Sequence, residues 1–465
     1  MTIVEEMAEF IETSSFEDLS FQAIEDLKIR VLDSLGCALG ALHSETTNHV
    51  KEAEAELGGN KQCSLIGGGS TSPDRAALFN GALVRYLDFN DSFLSKGETC
   101  HPSDNVAPIL AASEYADCDG KEFLVSLAIA YQVQCRLSET VPVRVHGFDH
   151  TTQGAFAIAA GTSKALGMDA KRTASAIAIS GTALNALRVT RTGKLSNWKG
   201  LAYPFTSFAA LNAVFLAKHG ITGPLEVFEG NKGFNDAYSG GGVAIHWERE
   251  DLEIVRHTIL KKYNSEVHSQ SAVECMLKLK SRFSLDPEDV ESIEVKIFDV
   301  AYRIIGGGEE GEKLTVQTKE QADHSLPYVL AVALCDGEVM PAQYFPERIK
   351  SADVQELMRR ITIVPDREFS LRFPEAMPCS ISVRTKDGRT LTEEVEDYEG
   401  FLTHPMGWGM IARKFERLTS GILDAEKQRE FEDVVHSLDN RKISELTNLL
   451  KQPVQVVAPS TARRS

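Results

Sequence analysis

From Phe21 to about Gly220 the apolar residues of this chain recur three and four positions apart, and alternating strand patterns are nearly absent. That periodicity commits the first half to a helical bundle. The stretches AIAAGTSKALG (157–167) and SAIAISGTALNAL (175–187) offer small residues on several sides, the composition of helices buried in a large core. After about Asp286 the texture changes. ESIEVKIFDV (291–300) and ITIV (361–364) alternate apolar with polar, and SISVRTKDGRTLTEEV (380–395) reads as a hairpin turning at Lys386-Asp387-Gly388. Helical segments are predicted between these strands, around 325–334 and 351–360, and helical periodicity returns from Trp408 to about Leu450. The predicted fold is mainly α: a large all-helical domain over 1–265 and 402–465, and a smaller α+β lid domain over 266–401. The last stretch, PVQVVAPSTARRS, is expected to fray.

A length of 465 residues suits two large units. The formal charge of −18 excludes a generally basic surface and so argues against nucleic acid or an anionic membrane as the main partner. The start, MTIVEEMAEFIE, is acidic and amphipathic and reads as a first helix rather than a targeting segment. No unbroken apolar run approaches the roughly 20 residues of a membrane span, so a soluble, cytoplasmic chain is expected. The eight cysteines include no C-x-x-C pair, which leaves zinc and iron–sulfur motifs unsignalled. Most read as small buried apolar residues; Cys100, beside a histidine in a loop, is the one candidate for a reactive thiol. LIGGGSTSPDRAAL (65–78) lacks the spacing of a phosphate-binding loop, and Gly306-Gly307-Gly308 precedes acidic residues, so both read as turns.

The most informative pattern is positional. His101 (CHPSDNVAPILAA), His150 (DHTTQGAFAIAA), His268 (VHSQSAVECML) and His324 (DHSLPYVLAVAL) each stand just before a capping signal that opens an apolar helix. Helix starts present unpaired N–H groups and a positive partial charge, which suits anions. A single histidine in a cap also serves as a local hydrogen-bonding group, but four together favour a site. No H-E-x-x-H pair places two of them on one helical face, and no metal is expected. Nearby lie the other groups acid–base chemistry needs: Asp88, Asp91 and Ser92 in RYLDFNDSF; Arg188, Arg191, Lys194 and Lys199 in LRVTRTGKLSNWKG; Lys261 and Lys262; and Tyr328, one turn beyond His324. Taken one at a time, the aspartates also read as loop caps, the arginines as surface cations and the tyrosine as a core aromatic.

In order and spacing, NGALVRYLDFNDS, ETCHPSDN, HGFDHTTQGAFAIAAGTSKALGMD, RTGKLSNWKG, KKYNSEVHSQSAVE and QADHSLPYVLAVAL resemble the hallmark segments of the MmgE/PrpD family, and VLDSLGCALGA (31–41) resembles its first long helix. The match runs over nearly the whole chain. The resemblance implies a helical domain carrying an α+β lid, a homodimer, a site between the domains, and no metal or organic cofactor. It implies a tricarboxylic acid substrate, with dehydration of 2-methylcitrate ranked ahead of decarboxylation of cis-aconitate; a non-catalytic acid-binding relative is the alternative from another class. Carried over by position, the site aspartate is Asp88, the hydroxyl Ser92, the two loop histidines His101 and His150, the lid-side pair Lys261 and His268, and the tyrosine Tyr328, while the further lysine is Lys194 or Lys199. His101 and His150 are expected as base and acid, with Asp88 orienting one imidazole, Tyr328 donating to the hydroxyl, and Arg188, Arg191 and His324 among the carboxylate-binding groups. The chain departs from the commoner pattern at Arg85 and Asn90, where many relatives carry His and Asp, and in a few extra residues before His101.

Overall fold

The computed structural model describes residues 1–239, 242–243 and 245–453; the tail expected to fray lies, beyond Pro453, outside the described residues. The protein is mainly α and divides into two compact units. The first comprises Met1–Leu187, Gly200–Thr258 and Gly407–Ser465; the second comprises Arg188–Lys199 and Ile259–Met406. The segment 188–199, counted with the helical domain in the sequence, thus groups with the second unit.

Local chemistry starts the helices of the first unit. The Ile3–Thr13 helix opens with a capping box in which the Thr2 amide donates to Glu5, and Gly120–Thr140 opens with the same device between Asp119 and Glu122. Gly120–Thr140 packs along Thr151–Ala165, the most intimate helix pair of the unit. Their approach depends on Gly161: a Cβ there would lie 2.7 Å from the Ser126 carbonyl oxygen. The late helix Trp408–Thr419 returns onto Phe21–Gly40, as the sequence pattern predicts. Lys414 fixes this return with buried bonds of 2.6 Å to Asp33 and 2.7 Å to the Phe89 carbonyl, and so also anchors the loop that follows the Pro73–Tyr86 helix.

Two short hairpins interrupt the helices. Cys63–Ser64 pairs with Ser70–Thr71, and its tip uses its own amides: Gly67 N–H donates to Leu450 and Gly68 N–H to Leu65. The glycine-rich piece is therefore a turn. Phe93–Ser95 pairs with Glu98–Cys100, which puts Cys100 in a strand and fully buried rather than in a loop. The helix Trp198–Lys218 is long and apolar enough to cross a membrane by length and composition. Thr206, Ser207 and Asn212 break its apolar run, and its Tyr203, Ala210 and Leu211 sit in a cluster with Ala76, Ala77 and Ile158, as in a core helix.

The second unit holds a four-stranded sheet in the order Ile361–Pro365, Val290–Ile297, Cys379–Thr385, Thr390–Val395. The first pair is parallel and the others antiparallel, with Val295 opposite Ile363 on one side and Ile381 on the other. Ile293, Val295 and Ile297 are buried while Ser292, Glu294 and Lys296 face out, the alternation expected of a sheet covered on one face. The cover is the Gln270–Phe283 helix, whose Cys275 thiol reaches the Glu393 carbonyl at 3.3 Å, and against it packs Leu326–Asp336.

Candidate active site

In the first unit the chemistry gathers where the Pro73–Tyr86 helix ends. Asp88 adopts a left-handed backbone (φ 56°), a conformation that aspartate tolerates better than most residues. Its carboxylate accepts from Arg85 Nη1 at 2.6 Å. Arg85 Nε also lies 3.5 Å from Asp104, which accepts from Asn90 at 2.8 Å. Arg85 and Asn90, the two positions where the chain departs from the commoner pattern, therefore knit one buried network with Asp88. Next to it, Asp91 accepts from the Ser103 amide and the Tyr131 hydroxyl, both at 2.9 Å. Burial pushes the Asp91 carboxyl above its usual range, partly offset by these donors and by Arg30.

His101 stands at the entrance of the short Pro102–Asn105 turn that leads into Val106–Tyr115. Its Nδ1 lies 2.9 Å from the Asp91 backbone oxygen and 3.0 Å from Ser92 Oγ. A carbonyl oxygen can only accept, so this network assigns the proton of the neutral ring to Nδ1 and the basic lone pair to Nε2. His150 caps the Thr151–Ala165 helix, with Nδ1 3.3 Å from the Asp149 carboxylate. The two imidazoles meet edge to face, centroids 5.5 Å apart at 73°. Tyr203 lies nearly parallel to the His150 ring at 6.3 Å, and its hydroxyl donates to Asn105 at 2.9 Å.

The second unit carries its own buried ionic cluster. Asp323 accepts from Lys199 Nζ at 2.7 Å and Lys319 Nζ at 2.6 Å, and His324 Nδ1 lies 2.8 Å from it. Burial raises the Asp323 carboxyl, but Lys199, Lys319 and His324 outweigh it and hold the group below the usual carboxylate range. Glu266 binds His268 twice, through the His268 amide at 2.8 Å and Nδ1 at 2.7 Å. Burial raises Glu266 too, yet His268, His324 and Lys261 bring it down to about 2. Lys261 is fully buried in the same unit. Burial pushes the Lys313 ammonium down, against the opposing pull of Glu310, Glu266, Asp323 and Glu312.

The structure thus joins His101, His150 and Ser92 in one contact set, with Asp88 in the adjoining network, and joins Lys199, His324, Lys261 and His268 around two carboxylates. It separates the two candidate lysines: Lys199 is buried and bonded, while Lys194 is exposed. Arg188 pairs with Glu310, and Arg191 is buried against the Lys199 carbonyl at 3.4 Å. Lys262 turns to Glu274 and Glu399.

The Asp91 carbonyl lies against the His101 imidazole and the Asp149 carboxylate against that of His150, while Asp88 accepts from Arg85. The Tyr328 hydroxyl donates to the Gln343 carbonyl beneath a buried ring. The sequence reading missed Asp149, Glu266, Asp323, Tyr203 and Lys313 as site groups. A signal existed for three of them: Asp149 and Asp323 immediately precede their histidines, and Glu266 lies two residues before His268.

Facing imidazoles in a helical unit, and carboxylate-backed histidines among lysines in an α+β unit, define a two-unit, mainly α class of protein equipped for anions and protons. The chain belongs to the MmgE/PrpD family: the MmgE/PrpD N-terminal domain matches residues 5–245 and the MmgE/PrpD C-terminal domain matches 263–440. It is 24% identical to a cis-aconitate decarboxylase of Mus musculus, over 97% of this chain and 94% of that protein. It is 26% identical to a mitochondrial 2-methylcitrate dehydratase of Yarrowia lipolytica (87% and 80% covered) and 27% identical to a 2-methylcitrate dehydratase of Salmonella typhimurium (83% of each).

Proposed function

We propose that this protein is a lyase that dehydrates a small citrate-like tricarboxylic acid, 2-methylcitrate first and citrate second, by acid–base elimination using only the chain's own groups. The observation that carries the reading is the His101–His150 pair, two buried imidazoles in edge-to-face contact with different partners on Nδ1. His101, with its lone pair on Nε2, takes the proton α to a carboxylate. His150, whose imidazolium the Asp149 carboxylate stabilises, protonates the hydroxyl that leaves as water while the carbon–carbon double bond forms. The α proton is weakly acidic, so the neighbouring carboxylate must be stabilised as it gains enolate character, and the buried cations of the second unit suit carboxylate binding.

The relative named cis-aconitate decarboxylase, matched over 97% of this chain, supports decarboxylation as the second reading. Metal-free protein incubated with citrate, 2-methylcitrate isomers and cis-aconitate separates the two, since dehydration yields a conjugated alkene with carbon conserved and decarboxylation releases CO₂. Absence of both with every acid sinks the enzymatic reading. The proposal includes a cytoplasmic homodimer; exposed Phe205 and Leu216 on one helix supply apolar surface for it, and light scattering on the purified protein tests it.

A further inference from the structure

Lys313 is 8% exposed, and among the described residues its ammonium makes no hydrogen bond or ion pair. Its backbone is fixed by the Ser325 hydroxyl, which donates to the Lys313 carbonyl at 2.6 Å, so the residue is tied to the entrance of the Leu326–Asp336 helix beside His324. Three of the four carboxylates that influence it already face cations or a histidine, Glu266 with His268, Asp323 with Lys199 and Lys319, and Glu310 with Arg188, while the fourth, Glu312, accepts from the Leu314 and Thr315 amides. The side chain is largely buried although its Nζ keeps some contact with solvent, and burial disfavours its charged form with no direct partner to offset this. An anionic ligand at this solvent-reaching tip would favour the charged form that burial disfavours.

We propose that Lys313 is a substrate-binding residue that takes one carboxylate of the polycarboxylic acid, a role separate from those of Lys199 and Lys261; this rests on the reading that the protein binds such an acid. Lys199 already pairs directly with Asp323, which it shares with Lys319. Lys313 has no such direct pair among the described residues. A ligand carboxylate at its Nζ gains a charge-assisted hydrogen bond that no described side chain supplies.

The test uses the full-length protein and tricarballylate, a non-reacting tricarboxylate, titrated by calorimetry into wild type, Lys313→Met and Lys313→Arg. The expected result is an affinity lower by about tenfold to a hundredfold for Lys313→Met, the worth of one hydrogen bond to a charged group, with partial recovery in Lys313→Arg. Unliganded Lys313→Met should melt no lower than wild type, because the substitution removes a charge that burial disfavours and no direct partner offsets, and should lose most of the ligand-induced rise in melting temperature. Wild-type affinity in Lys313→Met, a marked fall in its unliganded melting temperature, or no binding of tricarballylate to wild type each overturns the proposal. Wild type that binds tricarballylate through Lys313 but turns over no acid leaves this inference standing and sinks the catalytic reading alone.

Discussion

The Nδ1 atom of His101 and the backbone oxygen of Asp91 stand 2.9 Å apart, with Ser92 Oγ 3.0 Å from the same nitrogen. A main-chain acceptor cannot ionise or change rotamer, so it fixes the tautomer more rigidly than a carboxylate does. His101→Ala is therefore expected to lower kcat by about 10²–10⁴-fold, the usual share of a positioned base, while the far-ultraviolet circular dichroism stays that of wild type. Ser92→Ala removes only the secondary contact, and its loss should be about tenfold or less, in line with one neutral hydrogen bond. Wild-type turnover in His101→Ala would remove the imidazole from the mechanism.

Tyr203 is held against His150 by the absence of a side chain at Gly154. A Cβ on that residue, one turn into the helix that His150 caps, would lie 2.4 Å from Tyr203 Cε2 and 2.9 Å from its hydroxyl. The ring cannot move without breaking its bond to Asn105. Gly154→Ala should destabilise the fold by about 1–3 kcal/mol, the usual cost of overpacking, even though alanine is the better helix former. Urea denaturation measures this directly; a variant as stable as wild type would show that the ring has room to shift.

What the sequence made legible follows from how local each cause is. The helical first half, the strands at 290–297 and 361–365 and the 379–395 hairpin were readable because periodicity and turn chemistry act over a few residues. The four histidines at helix entrances were readable for the same reason. Membership of segment 188–199 in the second unit was not, since it rests on long-range contacts such as Arg188 with Glu310 and Lys199 with Asp323. That Lys199 is buried and Lys194 exposed was likewise beyond spacing alone. The bond of the Tyr328 hydroxyl to a main-chain oxygen fifteen residues away was not legible either, because such an acceptor carries no sequence signature.

That bond makes Tyr328→Phe a discriminating variant. If the hydroxyl serves the Gln343 carbonyl, removing it leaves a buried acceptor without this donor and costs about 1–3 kcal/mol of stability, while kcat stays close to wild type. If the hydroxyl instead donates to substrate, kcat falls and stability holds. Thermal melting and initial rates on the same preparation separate the two, and a large rate loss at unchanged stability would reinstate the tyrosine as a proton donor.

Glu266 gives the fold a defined acid sensitivity. Its carboxyl is brought from the usual 4.5 down to about 2, with burial opposing and the His268 contact leading the groups that prevail. Between those two values the unfolded chain binds the proton and the folded chain does not, so the contribution is complete above pH 4.5 and is lost as pH falls through about 2. A shift of this size corresponds to on the order of 3 kcal/mol at neutral pH. Glu266→Gln cannot titrate there, so the stability gap between wild type and variant should narrow as pH is lowered from 6 towards 3. Denaturant unfolding of both proteins at several pH values reads this gap. A gap independent of pH would mean that Glu266 is not held ionised by His268 and its neighbours, and that the imidazole lacks the fixed negative partner the structure gives it.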